Sequence, residues 1–144
     1  MIPAAVRLAE PDWRFAPVER SMIDAKWAKE FALEWIEAWN AHDLDRILSH
    51  YTDDFEMRSP IIVERMGVAS GVLKGKKAVG EYWRPALTAG SQLKFVLHDV
   101  LLGTNAITVY YYNVTRGRMV AEILSLNEKN QVVSGSAHYA AEPS

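Results

Sequence analysis

The sequence contains no cysteine, which excludes disulfides, thiolate catalysis, iron–sulfur clusters and Cys-based zinc sites. It has no apolar run of 18 residues, and Met1-Ile2-Pro3-Ala4-Ala5-Val6-Arg7 lacks a basic segment followed by a long apolar one, so neither a membrane span nor a secretory leader is expected. A surplus of one charge is missing too: 16 Lys and Arg stand against 18 Asp and Glu, a formal net charge of −2. Non-specific binding to a phosphate backbone needs positive excess, so a nucleic-acid partner is disfavoured and a cytoplasmic protein is expected. No His-x-x-x-His pair or facial triad occurs, so no metal and no other cofactor is expected. What is present is 144 residues, 49% hydrophobic. That length fits one globular domain, which should bury roughly 68–70% of its unfolded surface.

Residues 1–20 carry Pro3, Pro11 and Pro17, which interrupt helical pattern, and they read as an arm preceding a domain over 21–144. Trp13, Phe15 and Val18 are apolar enough to dock it on the body. Ser21-Met22-Ile23-Asp24 resembles a capping box and places a helix start there. Trp27, Phe31, Trp35 and Trp39 then recur every four residues, beside Ile23, Ala28, Ala32 and Ile36, which predicts a long amphipathic helix with an aromatic inner stripe. Asn40-Ala41-His42-Asp43 breaks it, and Asp43 can cap a short helix through about Tyr51. Phe55–Val63 alternates early, with Phe55, Met57 and Ser59 on one side, and reads as a strand leading into a loop at Pro60. Lys76–Leu87 has helical spacing that Pro85 should kink or shorten.

From Gln92 onward β-branched and aromatic residues dominate. The spacing predicts strands over Gln92–Leu102, Ala106–Thr115, Arg118–Leu126 and Gln131–Tyr139, joined by hairpin-length turns. Helices first and strands second give an α+β class with an antiparallel sheet. Alternation sets Val109, Tyr111 and Asn113 on one face against Tyr110, Tyr112 and Val114, and Val120, Glu122, Leu124 and Leu126 against Ala121, Ile123 and Ser125. Both faces carry apolar area. A sheet curved around the long helix would therefore line a cavity with one face and meet a second subunit with the other.

The block from Trp35 to Pro60, W-I-E-A-W-N-A-H-D-L-D-R-I-L-S-H-Y-T-D-D-F-E-M-R-S-P, resembles the opening of nuclear transport factor 2-like domains, the superfamily of the SnoaL-like polyketide cyclases and the ketosteroid isomerases. G-K-K-A-V-G-E-Y-W, from Gly75 to Trp83, resembles the family's third helix. The likeness covers roughly residues 22 to 140. It implies a cone-shaped α+β barrel, with a curved antiparallel sheet wrapped around the long helix and two further helices, commonly dimeric through the outer sheet face. Its motifs are specific for fold and nearly silent on activity.

Carrying the isomerase pattern across residue by residue leaves gaps. Ser59 before Pro60 stands where that pattern has its general-base aspartate, and Trp35 stands where it has a tyrosine donor. The buried protonated acid of the pattern, a case used to illustrate carboxyls kept neutral by apolar sites, falls at Glu122. An ionised Glu122 between Val120 and Leu124 would be poorly solvated, which should raise its pKa and suit it to proton transfer; a solvated or structurally paired glutamate is the plain alternative. Tyr111 and Asn113 share its face and can orient a polar substituent. Ser59 reads as a ligand contact. Trp35, Trp39, Tyr82, Trp83 and Tyr139 read as an aromatic wall, or simply as core. His42 and His50 look exposed, and alternation puts His98 and His138 on the outer face. A bulge turning His138 inward would make it a proton-transfer partner for Glu122. The Gly71–Lys77 segment fails as a phosphate loop on spacing.

The leading expectation is a cofactor-independent small-molecule enzyme of SnoaL or ketosteroid-isomerase type, an isomerase, dehydratase or cyclase acting on an apolar oxygen-bearing metabolite, with Glu122 as catalytic residue. A non-catalytic ligand carrier and a dimerisation or interaction module are the alternatives.

Overall fold

A computed structural model describes residues 23–144; the arm of residues 1–20 and Ser21 lie outside the described residues. The first helix among the described residues, α1 (Ala25–Asn40), is capped by Asp24, whose carboxylate accepts from the Trp27 amide at 3.0 Å. The helix therefore starts after Asp24, one turn later than the capping-box pattern implies. Its aromatic stripe faces inward: Phe31, Trp35 and Trp39 are buried with Ala28, Ala32, Ile36 and Ala38.

Asn40-Ala41-His42-Asp43 is a clamp as well as a break. Asn40 behaves like a strand neighbour to Phe95, donating to its carbonyl at 2.9 Å and accepting from its amide at 2.8 Å. His42, at φ 56°, reaches the Leu93 carbonyl at 2.9 Å. Asp43 caps α2 (Leu44–Leu48) through the Arg46 amide. Arg46 and His50 then both engage Glu34 on α1, the latter at 3.0 Å. The Arg46 hydrogen bond is the main reason the Glu34 pKa is lowered. Thus His42 and His50, expected to be exposed, are half-buried and bonded.

Tyr51 begins β1 (Tyr51–Arg58) instead of ending the short helix. After it, where a loop is expected at Pro60, lies α3 (Pro60–Met66): Ser59 is its N-cap, accepting from the Ile61 amide at 3.1 Å, and Pro60 occupies its first turn. Next come β2 (Val72–Lys74), α4 (Lys76–Trp83) and a 3-10 turn (Arg84–Leu87) in which Pro85 is accommodated. The remaining strands are β3 (Phe95–Gly103), β4 (Ala106–Asn113), β5 (Arg118–Leu126) and β6 (Val132–Tyr139). Among the described residues there are thus three α-helices besides the long one, where two are expected.

The six strands form one curved, unclosed sheet in the order β2-β1-β6-β5-β4-β3. The expected all-antiparallel pairing fails at one joint, because β1 runs parallel to β6. A parallel neighbour needs a long crossover, and everything between Arg58 and Val132 supplies it. The β3–β4–β5–β6 portion is antiparallel as expected, with Val109 opposite Glu122 and Glu122 opposite Ala137. Inner-face residues Val109, Tyr111, Val120, Glu122 and Leu124 are buried, whereas Tyr110 is exposed and Tyr112 and Ile123 are half-buried. Gly135 on β6 is a close-approach position: a Cβ there would meet Met57 Sδ at 2.9 Å. Among the described residues, no helix is long and apolar enough to cross a membrane.

Candidate functional site

The concave sheet face, α1, α3 and α4 enclose a cavity of about 80 Å³. Its lining joins residues far apart in sequence: Trp39 from α1, Met57 and Ser59 from the end of β1, Ile61 and Arg65 from α3, Tyr82 and Trp83 from α4, Phe95 from β3, Tyr111 and Asn113 from β4, Glu122 from β5 and Tyr139 from β6. Since about 150 Å³ suffices for a benzene ring, the enclosed space admits only a slim part of a ligand. Most of the cone is filled by rings. Trp39 packs edge-on to Trp83 at 5.0 Å between centroids, and Phe95 lies 4.3 Å from Tyr111.

Glu122 is 6% exposed and lines this cavity. One carboxyl oxygen accepts from the Tyr111 hydroxyl at 3.1 Å, and among the described residues nothing donates to the other. Burial among apolar neighbours disfavours the charged form and pushes the carboxyl up to about 7; the Tyr111 hydrogen bond opposes that rise. The effect is mutual. Desolvation first, then the nearby Glu122 charge, raises the Tyr51, Tyr111 and Tyr139 phenols. Desolvation also raises Tyr82, offset partly by a Ser59 hydrogen bond.

Of the residues expected at a site, Trp39, Ser59, Tyr82, Trp83, Tyr111, Asn113, Glu122 and Tyr139 converge on the cavity. Trp35 does not. Its indole donates to the Tyr51 hydroxyl at 2.9 Å, and both rings are fully buried behind the lining. His138 does not either. It pairs with Ala121 on the outer face and sits 2.8 Å from Ser136 Oγ, because β6 keeps its regular alternation between Ser134 and Tyr139. No bulge turns it inward, so it cannot exchange protons with Glu122. His98 is likewise exposed. Asn113 spends its carbonyl oxygen on the Arg116 amide at 3.1 Å, leaving only its NH₂ for the cavity.

Arg65 and Arg116 line the cavity and are absent from the expected set. The Ser59-Pro60 pair carries a helix-start signal that would have placed Ile61 and Arg65 one turn apart on a common face. Arg116 follows Thr115 in a turn, where periodicity is silent. Its guanidinium lies 5.8 Å from the Tyr139 ring centre.

The sequence model of the SnoaL-like domain matches residues 32–139. Among solved structures, a SnoaL-like protein of unknown function from Burkholderia thailandensis is 45% identical, with a TM-score of 0.79 over 83% of this chain and 98% of that one. The epoxide hydrolase/cyclase-like enzyme SalBIII, of pyran ring formation in the polyether salinomycin, is 18% identical with a TM-score of 0.65 over 82% and 94%. An NTF2-like protein of unknown function from Cytophaga hutchinsonii is 16% identical with a TM-score of 0.61 over 78% and 89%. The last two share the fold. No curated protein matches.

Proposed function

Because the chain belongs to the SnoaL-like domain family, and its cavity descends onto a buried carboxyl held by a phenol, we propose that it is a small-molecule enzyme working by proton transfer. The reaction is an isomerisation, dehydration or cyclisation of an apolar, oxygen-bearing metabolite. The observation that carries this reading is Glu122 itself: buried, lining the cavity, with one oxygen unpartnered and a pKa moved to about 7. A general acid or base is most effective when its pKa lies near the working pH. At neutrality Glu122 is present in both forms. Its carboxylate takes a proton from carbon beside a carbonyl and its acid form returns one to another carbon or to a departing oxygen, so the residue ends as it began.

Tyr111 steadies the carboxylate between these steps. The Ser59, Tyr82 and Tyr139 hydroxyls, on residues that line the cavity, hold the ligand oxygen on which charge develops. Ser59 acts as a contact and not as a nucleophile, since its oxygen accepts from the Ile61 amide at 3.1 Å. A second reading, a non-catalytic carrier, is favoured by that same serine in place of a proton-abstracting carboxylate. The partner proposed besides the ligand is a second copy of the chain, docked through the outer sheet face.

Native mass spectrometry of protein purified from its own cells, followed by incubation of the retained molecule with fresh protein, tests the proposal. A retained metabolite that the chain converts, and that the Glu122→Gln variant holds unchanged, supports the enzyme. A retained molecule that neither protein alters supports the carrier.

A further inference from the structure

The hydrogen-bonding capacity left unspent around the cavity is unevenly distributed. Deep inside it includes the free oxygen of Glu122. Elsewhere the unspent groups are donors. Arg65 from α3 and Arg116 from the β4–β5 turn line the same cavity, are both exposed, and form no ion pair with an acid among the described residues. Asn113 contributes an NH₂ with no acceptor, its oxygen being taken by Arg116 N–H. Trp39, 6% exposed, has a buried indole N–H with no partner. Unpaired donors buried in a cavity wall cost free energy until an acceptor arrives. Two guanidiniums reaching one opening from separate elements attract an anion there.

We propose that the ligand is an organic acid: its carboxylate is held at the mouth by Arg65 and Arg116, and its slim apolar body runs between Trp39, Phe95 and Tyr82 toward Glu122. This assignment rests on the proposed reading of the cavity as a ligand site and narrows its substrate class. The polarity of the site then fixes the orientation. The charged end stays in the solvated mouth, where arginine satisfies it, and away from Glu122, whose carboxylate would repel it. The enclosed 80 Å³ suits an unbranched or narrow segment better than a fused ring.

The test compares octanoate with 1-octanol by isothermal titration calorimetry at low salt, on the full chain and on the Arg65→Gln/Arg116→Gln double variant. Glutamine keeps polar bulk at these exposed positions, and circular dichroism confirms that the variant is folded. Octanoate is expected to bind the unaltered chain at least tenfold more tightly than octanol. The double variant is expected to lose most of that preference, and 0.5 M salt to erode it in the unaltered chain. Equal affinity for the two probes, or a preference that survives in the double variant, overturns the organic-acid assignment while leaving the cavity a ligand site. Failure of both probes to bind overturns the assignment together with the reading beneath it.

Discussion

Tyr111 and Glu122 face each other diagonally across the β4–β5 hairpin, the phenol donating to the carboxyl at 3.1 Å. Tyr111 lies opposite Val120 in register, so the pair is offset by two residues, within reach of long side chains on one sheet face. The contact favours the ionised carboxyl and so works against burial. Tyr111→Phe removes it without changing the ring. The Glu122 midpoint should then rise from about 7 to a higher value, as read from the pH dependence of its carboxyl carbon chemical shift. A midpoint at or below that of the unaltered protein would show that the phenol does not support the charge.

The same carboxyl makes stability depend on pH. Its folded pKa, about 7, lies above its ordinary value of 4.5, so the folded state binds the proton more tightly. The stabilisation is complete below about pH 4.5 and is lost as pH rises through 7. Two and a half pH units correspond to about 3 kcal/mol. Glu122→Gln is nearly isosteric and does not titrate, so urea unfolding should show it within about 1–2 kcal/mol of the unaltered protein at pH 4 and gaining on it toward pH 8. Parallel stability curves across that range would mean that Glu122 titrates as an ordinary exposed glutamate. Turnover, where an assay exists, should be lost at every pH.

The strand alternation of the C-terminal half was legible in the sequence because a period of two is read directly from apolar spacing: Tyr111, Asn113, Glu122 and Leu124 all face inward as that spacing requires. Nothing local marks the parallel pairing of β1 with β6, since it joins Met57 to Gly135 across most of the chain. Trp35 and Trp39 look equivalent in a four-residue stripe. They diverge only because the turn of helix carrying Trp35 lies over Tyr51, a strand residue that sequence spacing assigns to a helix. Arg65 lies on a seven-residue helix too short to show a period, and only Ser59-Pro60, which begins it, marks that helix in the sequence.

Ser59 joins fold and site in one atom. Its oxygen caps α3 through the Ile61 amide, while the side chain lines the cavity together with Tyr82 and Tyr139. Ser59→Ala should cost about 1 kcal/mol in urea unfolding through loss of the cap. It should weaken ligand binding while retaining more turnover than Glu122→Gln, since no proton passes through it. Loss of turnover as complete as in Glu122→Gln would give Ser59 a direct chemical part.

The outer sheet face presents Val96, Leu101 and Tyr110 to solvent, at 43%, 52% and 37% exposure. All three lie on β3 and β4, with Val96 beside Tyr112 and Leu101 beside Thr108 in register, so they form a continuous surface with half-buried Tyr112 and Ile123 alongside. Large exposed apolar patches on a sheet mark association surfaces, and a second copy would cover the patch symmetrically. Multi-angle light scattering at micromolar concentration should therefore give twice the 16.2 kDa chain mass. Leu101→Lys together with Tyr110→Lys should shift the population to monomer, because covering the face would then bury two cationic side chains from each copy. The helices, Glu122 and the cavity lie on the other side of the sheet, so the variant should keep its fold by circular dichroism. A monomer mass for the unaltered protein, or a dimer that survives both lysines, would exclude this face as the interface.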